Sequence, residues 1–328
     1  MFKGLMVRKK GEQVHSAVET LRLEDVAAGD VVIKARYSSV NYKDALAVTG
    51  KGAILKKFPL VAGIDVVGEV ESSLSDSFQE GDEVLVTGCG LGESHDGGLA
   101  EKVRVPAEWL VRLPSGLSSL ESMVYGTAGF TAALAIHRME LNGLGPEQGP
   151  VAVNGASGGV GSIAVCMLAS RGYDVLAVSS KSERSSGLVE LGANKVVSLD
   201  ELSLGSRALE KGRFAGVIDN LGGETLPKFI AATKLWGSVA SIGLATGHDF
   251  SSTVYPHILR GVSLLGISST NCPMPLRREL WERLAGDLKP KSMELLLTEI
   301  LPLAGVNELC EKMLSRQTFG RYVIDCRR

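Results

Sequence analysis

The sequence predicts an α/β chain of two domains, one a doubly wound parallel sheet and the other β-rich. Three observations carry the expectation. Val151–Gly161 reads as a short apolar strand, a turn of small residues and the start of an apolar helix. Beyond it, strand-like and helix-like segments alternate to about Gly266, the pattern of a parallel sheet covered by helices. Ahead of it, short strands with closely spaced turn signals indicate a small barrel or curled sheet. A chain of 328 residues has room for both.

Composition narrows the class. Hydrophobic residues make up 45% and charged residues 22%, and 35 Lys+Arg against 37 Asp+Glu leave a formal charge of −2. No basic block supplies the footprint that a nucleic-acid partner needs. No apolar run approaches the roughly 18 residues that span a bilayer, and Met1–Val7 carries no signal-peptide core. A cytoplasmic protein with neither membrane nor nucleic-acid partner is expected. The cysteines at 89, 166, 272, 310 and 326 are odd in number and far apart, with no CxxC. Neither a zinc ribbon nor a redox dithiol is suggested.

In the first domain, Asp30–Ser38 mixes apolar and polar positions as a half-exposed strand does. Leu60–Val70 carries Gly63 and Gly68 among β-branched residues, which predicts bends in a curved sheet. Gly81–Val86 and Gly97–Val105 read as further strands. Between the first two lies Ser39–Leu46. Asn41 is placed there as a helix N-cap, with Asp44 at N3 where the helix dipole favours an acid. Such a start is a fixed platform for Asn41, Tyr42 and Asp44.

The second domain opens with a helix over Gly126–Met139. Val151–Val153 is then the first parallel strand, and Val160–Arg171 is the helix behind the turn. Gly155, Gly158 and Gly161 are spaced GxxGxxG, in place of the common GxGxxG. Glycines let a backbone approach a pyrophosphate, and a helix N-terminus offers it unpaired N–H groups. Ser157, Gly158, Gly159 and Val160 are therefore candidate cofactor contacts. Tyr173–Val178 is the second strand. At its end, where an NAD enzyme carries an acid for the ribose 2′-OH, stand Ser180, Lys181 and Arg184. Cationic donors pair strongly with a 2′-phosphate, so NADPH is the expected cofactor.

The later strands are Lys195–Val197, Phe214–Asp219, Ser238–Ile242 and Val262–Gly266. Ligands of doubly wound sheets sit outside the carboxyl ends of strands. That adds Asn220, Leu221, Gly243, Leu244 and Ser268 to the candidates. In the C-terminal segment, Arg277–Leu284, Lys291–Glu299 and Glu308–Leu314 read as helices and Phe319–Ile324 as a strand.

Several motifs occur together in order: Asn41–Asp44, Gly63-Ile-Asp-Val-Val-Gly68, Gly97-Gly-Leu-Ala-Glu101, Gly126-Thr-Ala-Gly-Phe-Thr131 and Gly155–Gly161. With them the chain resembles the zinc-free, quinone oxidoreductase-like branch of the medium-chain dehydrogenase/reductase superfamily, most of all its NADPH-dependent acrylyl-CoA reductases. The resemblance implies a GroES-like catalytic domain from 1–125 and 267–328, a Rossmann domain over 126–266, and a homodimer formed through the nucleotide domain. It implies an active site between the domains. There Thr127 is expected near the nicotinamide, and Arg321, with an exposed strand position as its alternative, near the NADPH. Zinc alcohol dehydrogenases have a cysteine where this chain has Asn41 and a Gly-His-Glu where it has Gly63-Ile64-Asp65. A catalytic zinc needs three protein ligands, so no metal is expected.

For an acrylyl thioester, hydride would add at the β-carbon and a proton at the α-carbon. Tyr42 is the candidate polar group at the developing oxyanion, or else a cofactor contact, with Asn41 and Asp44 organising the loop. Two basic clusters, Lys51 with Lys56 and Lys57, and Arg277 with Arg278, are candidates to grip the nucleotide of CoA. Two alternatives remain open: an NADPH quinone oxidoreductase acting on an enone or quinone, and a non-enzymatic NADPH-binding protein of the same fold.

Overall fold

The computed structural model describes residues 1–328. Two compact units emerge: 1–127 with 270–285 and 297–328, and 128–269 with 286–296. The breaks fall two or three residues later than the sequence suggests. Residues 286–296, expected in the first unit, belong to the second. The cause is local. Met293 and Leu296 are buried, and Asp287 pairs with Arg171 Nη1 at 2.6 Å, which ties the segment to the helix that ends at Ser170.

In the first unit, β1 (Phe2–Lys10) and β2 (Gln13–Leu21) form an antiparallel hairpin, and β4 (Leu60–Val61) completes a three-stranded sheet on β1. β3 (Val31–Ser39) places Val31, Ile33 and Ala35 on one face, all fully buried. They pack with Val66 and Val70 of β5 (Asp65–Ser73), Val84 and Val86 of β6 (Glu83–Thr87) and Val103 of β7 (Lys102–Val105). Each buried Val or Ile among them contributes about 1.5–3 kcal/mol of burial, before conformational entropy is charged against it. A short edge strand, β8 (Val111–Arg112), borders β6.

Between β3 and β4 runs α1 (Tyr42–Thr49). Asn41 is its N-cap, Asp44 closes a capping box back onto it, and Gly50 ends it in the left-handed region. A longer helix, α2 (Ser119–Leu141), begins seven residues before the expected start and breaks at Gly126, with φ 50° and ψ −152°. A Cβ there would run into Ser39 Oγ and the Asp65 carboxylate. Glycine is needed both for the backbone angle and for the space.

The second unit holds β9 (Val151–Asn154), α3 (Gly159–Ser170), β10 (Val175–Val178), α4 (Ser185–Glu190), β11 (Lys195–Val197), α5 (Leu199–Leu202), β12 (Phe214–Asp219), α6 (Thr225–Ala231), β13 (Thr233–Ser241), α7 (Tyr255–Arg260) and β14 (Ser263–Gly266). Its six parallel strands take the order β11-β10-β9-β12-β13-β14. That is the Rossmann order, which reverses between β9 and β12. Register aligns the strand ends in one row: Val197, Val178, Asn154, Asp219, Ser241 and Gly266. Val151–Val153, Val217 and Val239 are fully buried, as continuous apolar runs in a sheet covered on both faces should be.

The chain then returns to the first unit with α8 (Met274–Ala285), β15 (Leu297–Pro302), α9 (Val306–Leu314) and β16 (Arg321–Asp325). These close a seven-stranded sheet, ordered β15-β16-β3-β5-β6-β8 with β7 on β3. The helix expected over Lys291–Glu299 is not formed. Met293–Leu296 makes one 3-10 turn, and from Leu297 the chain pairs with β16. The apolar run suggested a helix, but the β-branched Thr298 and Ile300 alternate along a strand with a waiting partner.

Candidate functional site

Each unit carries candidate functional residues of its own. In the first, the end of β3, the start of α1, the start of β5 and the Gly126 break converge on Asp65. Its carboxylate is fully buried. Oδ2 accepts from Ser39 Oγ at 2.6 Å, Asn41 Nδ2 at 2.7 Å and the Thr127 backbone N–H at 2.8 Å, and Oδ1 accepts from Thr127 Oγ1 at 2.5 Å. Asp65 thus caps the second half of α2 while holding the α1 N-cap side chain. A second buried acid, Asp44, accepts from the backbone N–H groups of Asn41 at 2.8 Å and Ile64 at 2.9 Å. Burial, reinforced by the charge of Asp65, pushes the Asp44 carboxyl up to about 7.

Arg321 corrects the expectation. It is only 2% exposed, so it is not the open strand arginine that was its alternative. Its guanidinium donates to the carbonyls of Val124 and Val40 and, at 3.0 Å, to Ser39 Oγ. Desolvation lowers its pKa, and the nearby charges of Asp65 and Asp44 oppose that shift. The arginine is therefore the buried counter-charge of the acid pair. Arg277 of the proposed CoA-gripping cluster is also buried. It donates to the carbonyl and hydroxyl of Thr87 and to the carbonyl of Thr270, which removes it from any surface role. Lys51 pairs with Glu311 at 2.6 Å, while Lys56 and Lys57 are exposed.

Around this buried centre, Tyr42 is 47% exposed at the first position of α1. The adjacent Lys43 Nζ donates to Glu93 Oε1 at 2.9 Å and Thr270 Oγ1 at 3.2 Å. The arrangement presents a phenol, beside an ion-paired lysine, from a helix start fixed by two buried acids. Thr127 Oγ1 and its N–H are both committed to Asp65, so its first role is to join α2 to that centre.

A metal does not fit this centre. Asn41 turns its amide N–H to Asp65, Ile64 is a buried aliphatic, and nowhere do three or more His, Cys, Asp or Glu side chains form a group able to hold an ion. A zinc site needs such a set.

In the second unit, the glycine turn is shaped for close approach. Gly155 has φ 68°. A Cβ on Gly161 would overlap the Gly155 carbonyl and lie 2.7 Å from Ala156 Cα, whereas one on Gly158 would meet nothing nearer than 3.4 Å. The turn is tight inside and open outside. Gly158 caps α3, whose first residues Gly159 and Val160 are half-buried. This is a cradle for a pyrophosphate on a twelve-residue helix. Ser157 Oγ accepts from Ser179 Oγ at 3.2 Å, and the Lys181 backbone N–H donates to the same Ser179 oxygen at 3.1 Å. One small network so joins the phosphate turn to the β10 end, which carries exposed Ser180 and half-buried Lys181 and Arg184.

At the switch point, Asn154 Nδ2 donates to Asp219 Oδ1 at 2.7 Å and the Gly222 N–H to Oδ2 at 2.8 Å. Burial raises the Asp219 carboxyl. Leu221 lies against Gly155, and Gly243 packs on the Asn220 carbonyl so closely that no side chain fits. Gly243 and Leu244 line a cavity of about 210 Å³ with Gly222, Ser241 and Phe250. Ser268 is exposed two residues past β14. Of the functional residues, sequence reading left Asp65 unassigned. An acid opening an apolar strand, two residues after Gly63, was its only signal.

Known proteins match both parts. Residues 27–115 fit the alcohol dehydrogenase GroES-like domain model, and 159–286 fit the zinc-binding dehydrogenase model. The YhfP protein of Bacillus subtilis, for which quinone oxidoreductase activity is suggested, is 46% identical over 99% of this chain and 98% of its own. Its crystal structure, with NAD bound, superposes with a TM-score of 0.97 over 99% of both chains. The acrylyl-CoA reductase AcuI of Ruegeria pomeroyi is 42% identical over 99% of both. The yhdH oxidoreductase of Salmonella enterica, in complex with NADP, is 44% identical with a TM-score of 0.95, covering 98% of this chain and 99% of that one. These likenesses and the two folds define an oxidoreductase class. The chain belongs to the medium-chain dehydrogenase/reductase superfamily, in its zinc-free, quinone oxidoreductase-like branch.

Proposed function

We propose that the protein is an NADPH-dependent reductase of the activated double bond in acrylyl-CoA, giving propionyl-CoA without a metal. The acyl-CoA part of this reading is carried by one observation, the 42% identity to an acrylyl-CoA reductase over 99% of both chains. The cradle at Gly155–Gly161 fits a dinucleotide. Ser157, Gly158, Gly159 and Val160 would hold its pyrophosphate, and Ser180, Lys181 and Arg184 its 2′-phosphate. Leu221, Gly243, Leu244 and Ser268 stand around the remainder, where small or apolar groups allow close approach. Bound NADPH supplies the hydride. Tyr42 then offers its hydroxyl to the thioester oxygen as negative charge develops there, and Asp44 and Asp65 hold Asn41 and the helix start that aims it.

A quinone acceptor is the second reading, favoured by the 46% identity to YhfP. NADPH oxidation assayed with acrylyl-CoA, crotonyl-CoA and simple quinones separates the two. Oxidation of none of them would leave the non-enzymatic alternative.

A cytoplasmic homodimer is part of the same reading. β14 is an unpaired outer strand of its sheet, and no helix is long and apolar enough to cross a membrane. Beside β14 the second unit exposes Trp236 at 76%, Leu259 at 59% and Ile258 at 69%. An edge strand flanked by such groups is a template for pairing with a second copy. Sedimentation at micromolar concentration should return twice the chain mass; a monomer would contradict the dimer.

A further inference from the structure

The segments that carry Cys89 and Cys272, far apart in sequence, are brought together in the first unit. The turn after β6 and the segment before α8 are clipped together. Cys89 N–H donates to the Thr270 carbonyl at 3.1 Å. A Cβ on Gly88 would lie 3.0 Å from Thr270 Cα. Arg277 secures both sides by donating to the Thr87 carbonyl at 2.7 Å and to the Thr270 carbonyl at 3.2 Å. Cys272 follows Thr270 by two residues. Both cysteines lie outside regular elements, Cys89 in a turn with φ 57° and Cys272 just before Pro273.

We propose that Cys89 and Cys272 form a peroxide-responsive dithiol that closes into a reversible disulfide. Cys89 is the half-exposed cysteine, and the other four are buried. Oxidation starts where a thiolate is both formed and reached. Burial raises the Cys89 and Cys272 thiols, and the Arg277 guanidinium counters the rise in both. The Cys272 thiol is raised further by the charge of Cys89, so the two sulfurs share one electrostatic environment. No cation offsets burial at Cys166 and Cys310, and at Cys326 Arg327 offsets it only in part: burial pushes Cys166 up to about 12 and the other two well beyond the usual thiol range.

The chemistry balances with one peroxide. The Cys89 thiolate attacks a peroxide oxygen, the O–O bond breaks, and sulfenic acid and water form. The Cys272 thiolate then displaces hydroxide from the sulfenic sulfur. The S–S bond forms, the S–O bond breaks, and a second water leaves after protonation. Two equivalents of a small thiol reverse the change. Closure requires Cα atoms within about 7 Å, which the clip favours by holding the two turns together. The proposal is independent of the acceptor that the protein reduces.

The full-length protein is treated with hydrogen peroxide, digested without reductant and analysed by mass spectrometry. A peptide pair joined through Cys89 and Cys272, two hydrogens lighter than the separate peptides and separated by dithiothreitol, is expected. In Cys272→Ser, Cys89 should persist as sulfenic acid and take up dimedone at least about fivefold more than in the parent. Absence of the joined pair in the parent, or a disulfide through Cys166, Cys310 or Cys326 instead, would overturn the proposal. So would equal dimedone labelling of Cys89 in parent and variant. The peptide map of the parent keeps the test valid if the variant folds poorly.

Discussion

Asn41 donates its side-chain N–H to Asp65 Oδ2 at 2.7 Å, so the residue that caps α1 also answers to the acid that caps the second half of α2. One buried carboxylate thereby sets the helix start carrying Tyr42. Asp65 accepts four hydrogen bonds, and Arg321 is buried beside it.

Asp65→Ala should therefore destabilise the first unit strongly. It strands the donors of Ser39, Asn41 and Thr127 and leaves a buried guanidinium short of counter-charge. A loss of about 3–5 kcal/mol is expected on breaking a buried pair of this kind. Urea unfolding followed by circular dichroism measures it. A loss below about 1 kcal/mol would mean that the network contributes geometry alone.

Stability should depend on pH through Asp44. Its carboxyl is raised from 3.8 in a free side chain to about 7 in the folded protein. Between those values the native state keeps a proton that the unfolded chain has released. Its contribution is fully present below about pH 4 and is lost as pH rises through 7, on the order of a few kcal/mol in all. Asp219, also raised by burial, acts in the same direction. Asp44→Asn should flatten the slope of the urea midpoint between pH 5 and 7.5, whatever its effect on absolute stability. An unchanged slope would contradict the buried-acid account.

Much of the fold is legible in the sequence because its signals are local. The glycine turn, the strand and the apolar helix around Val151–Ser170 sit within one short stretch, and Asn41 and Asp44 lie three residues apart in one capping box. Asp65 was not legible as a hub, because its partners come from residues 24, 26 and 62 positions away. The burial of Arg321 and Arg277 is likewise invisible in sequence. An arginine that satisfies itself on backbone carbonyls looks like any surface arginine until the chain has folded around it. The strand Leu297–Pro302 was hidden by the Met293–Leu296 run, because a short apolar run fits helix and strand alike.

The 2′-phosphate reading makes a selective prediction. Replacing Lys181 and Arg184 by alanine should raise KM for NADPH about tenfold or more, the cost of one charge-assisted hydrogen bond, and leave the weak use of NADH nearly unchanged. Steady-state kinetics with both nucleotides decides it. Equal losses would show that these side chains do not distinguish the two.

Prolonged chelation should leave NADPH turnover intact, because Asn41 and Ile64 stand where zinc enzymes of this superfamily place ligands. Metal analysis of the pure protein is the companion measurement. Stoichiometric zinc that leaves together with activity would contradict the metal-free site.

The central claim is the electron acceptor, and kcat/KM for NADPH oxidation with acrylyl-CoA against simple quinones tests it most directly. The account predicts that acrylyl-CoA is preferred by at least about a hundredfold, with propionyl-CoA as the product. Quinones reduced as well as or better than acrylyl-CoA would contradict it.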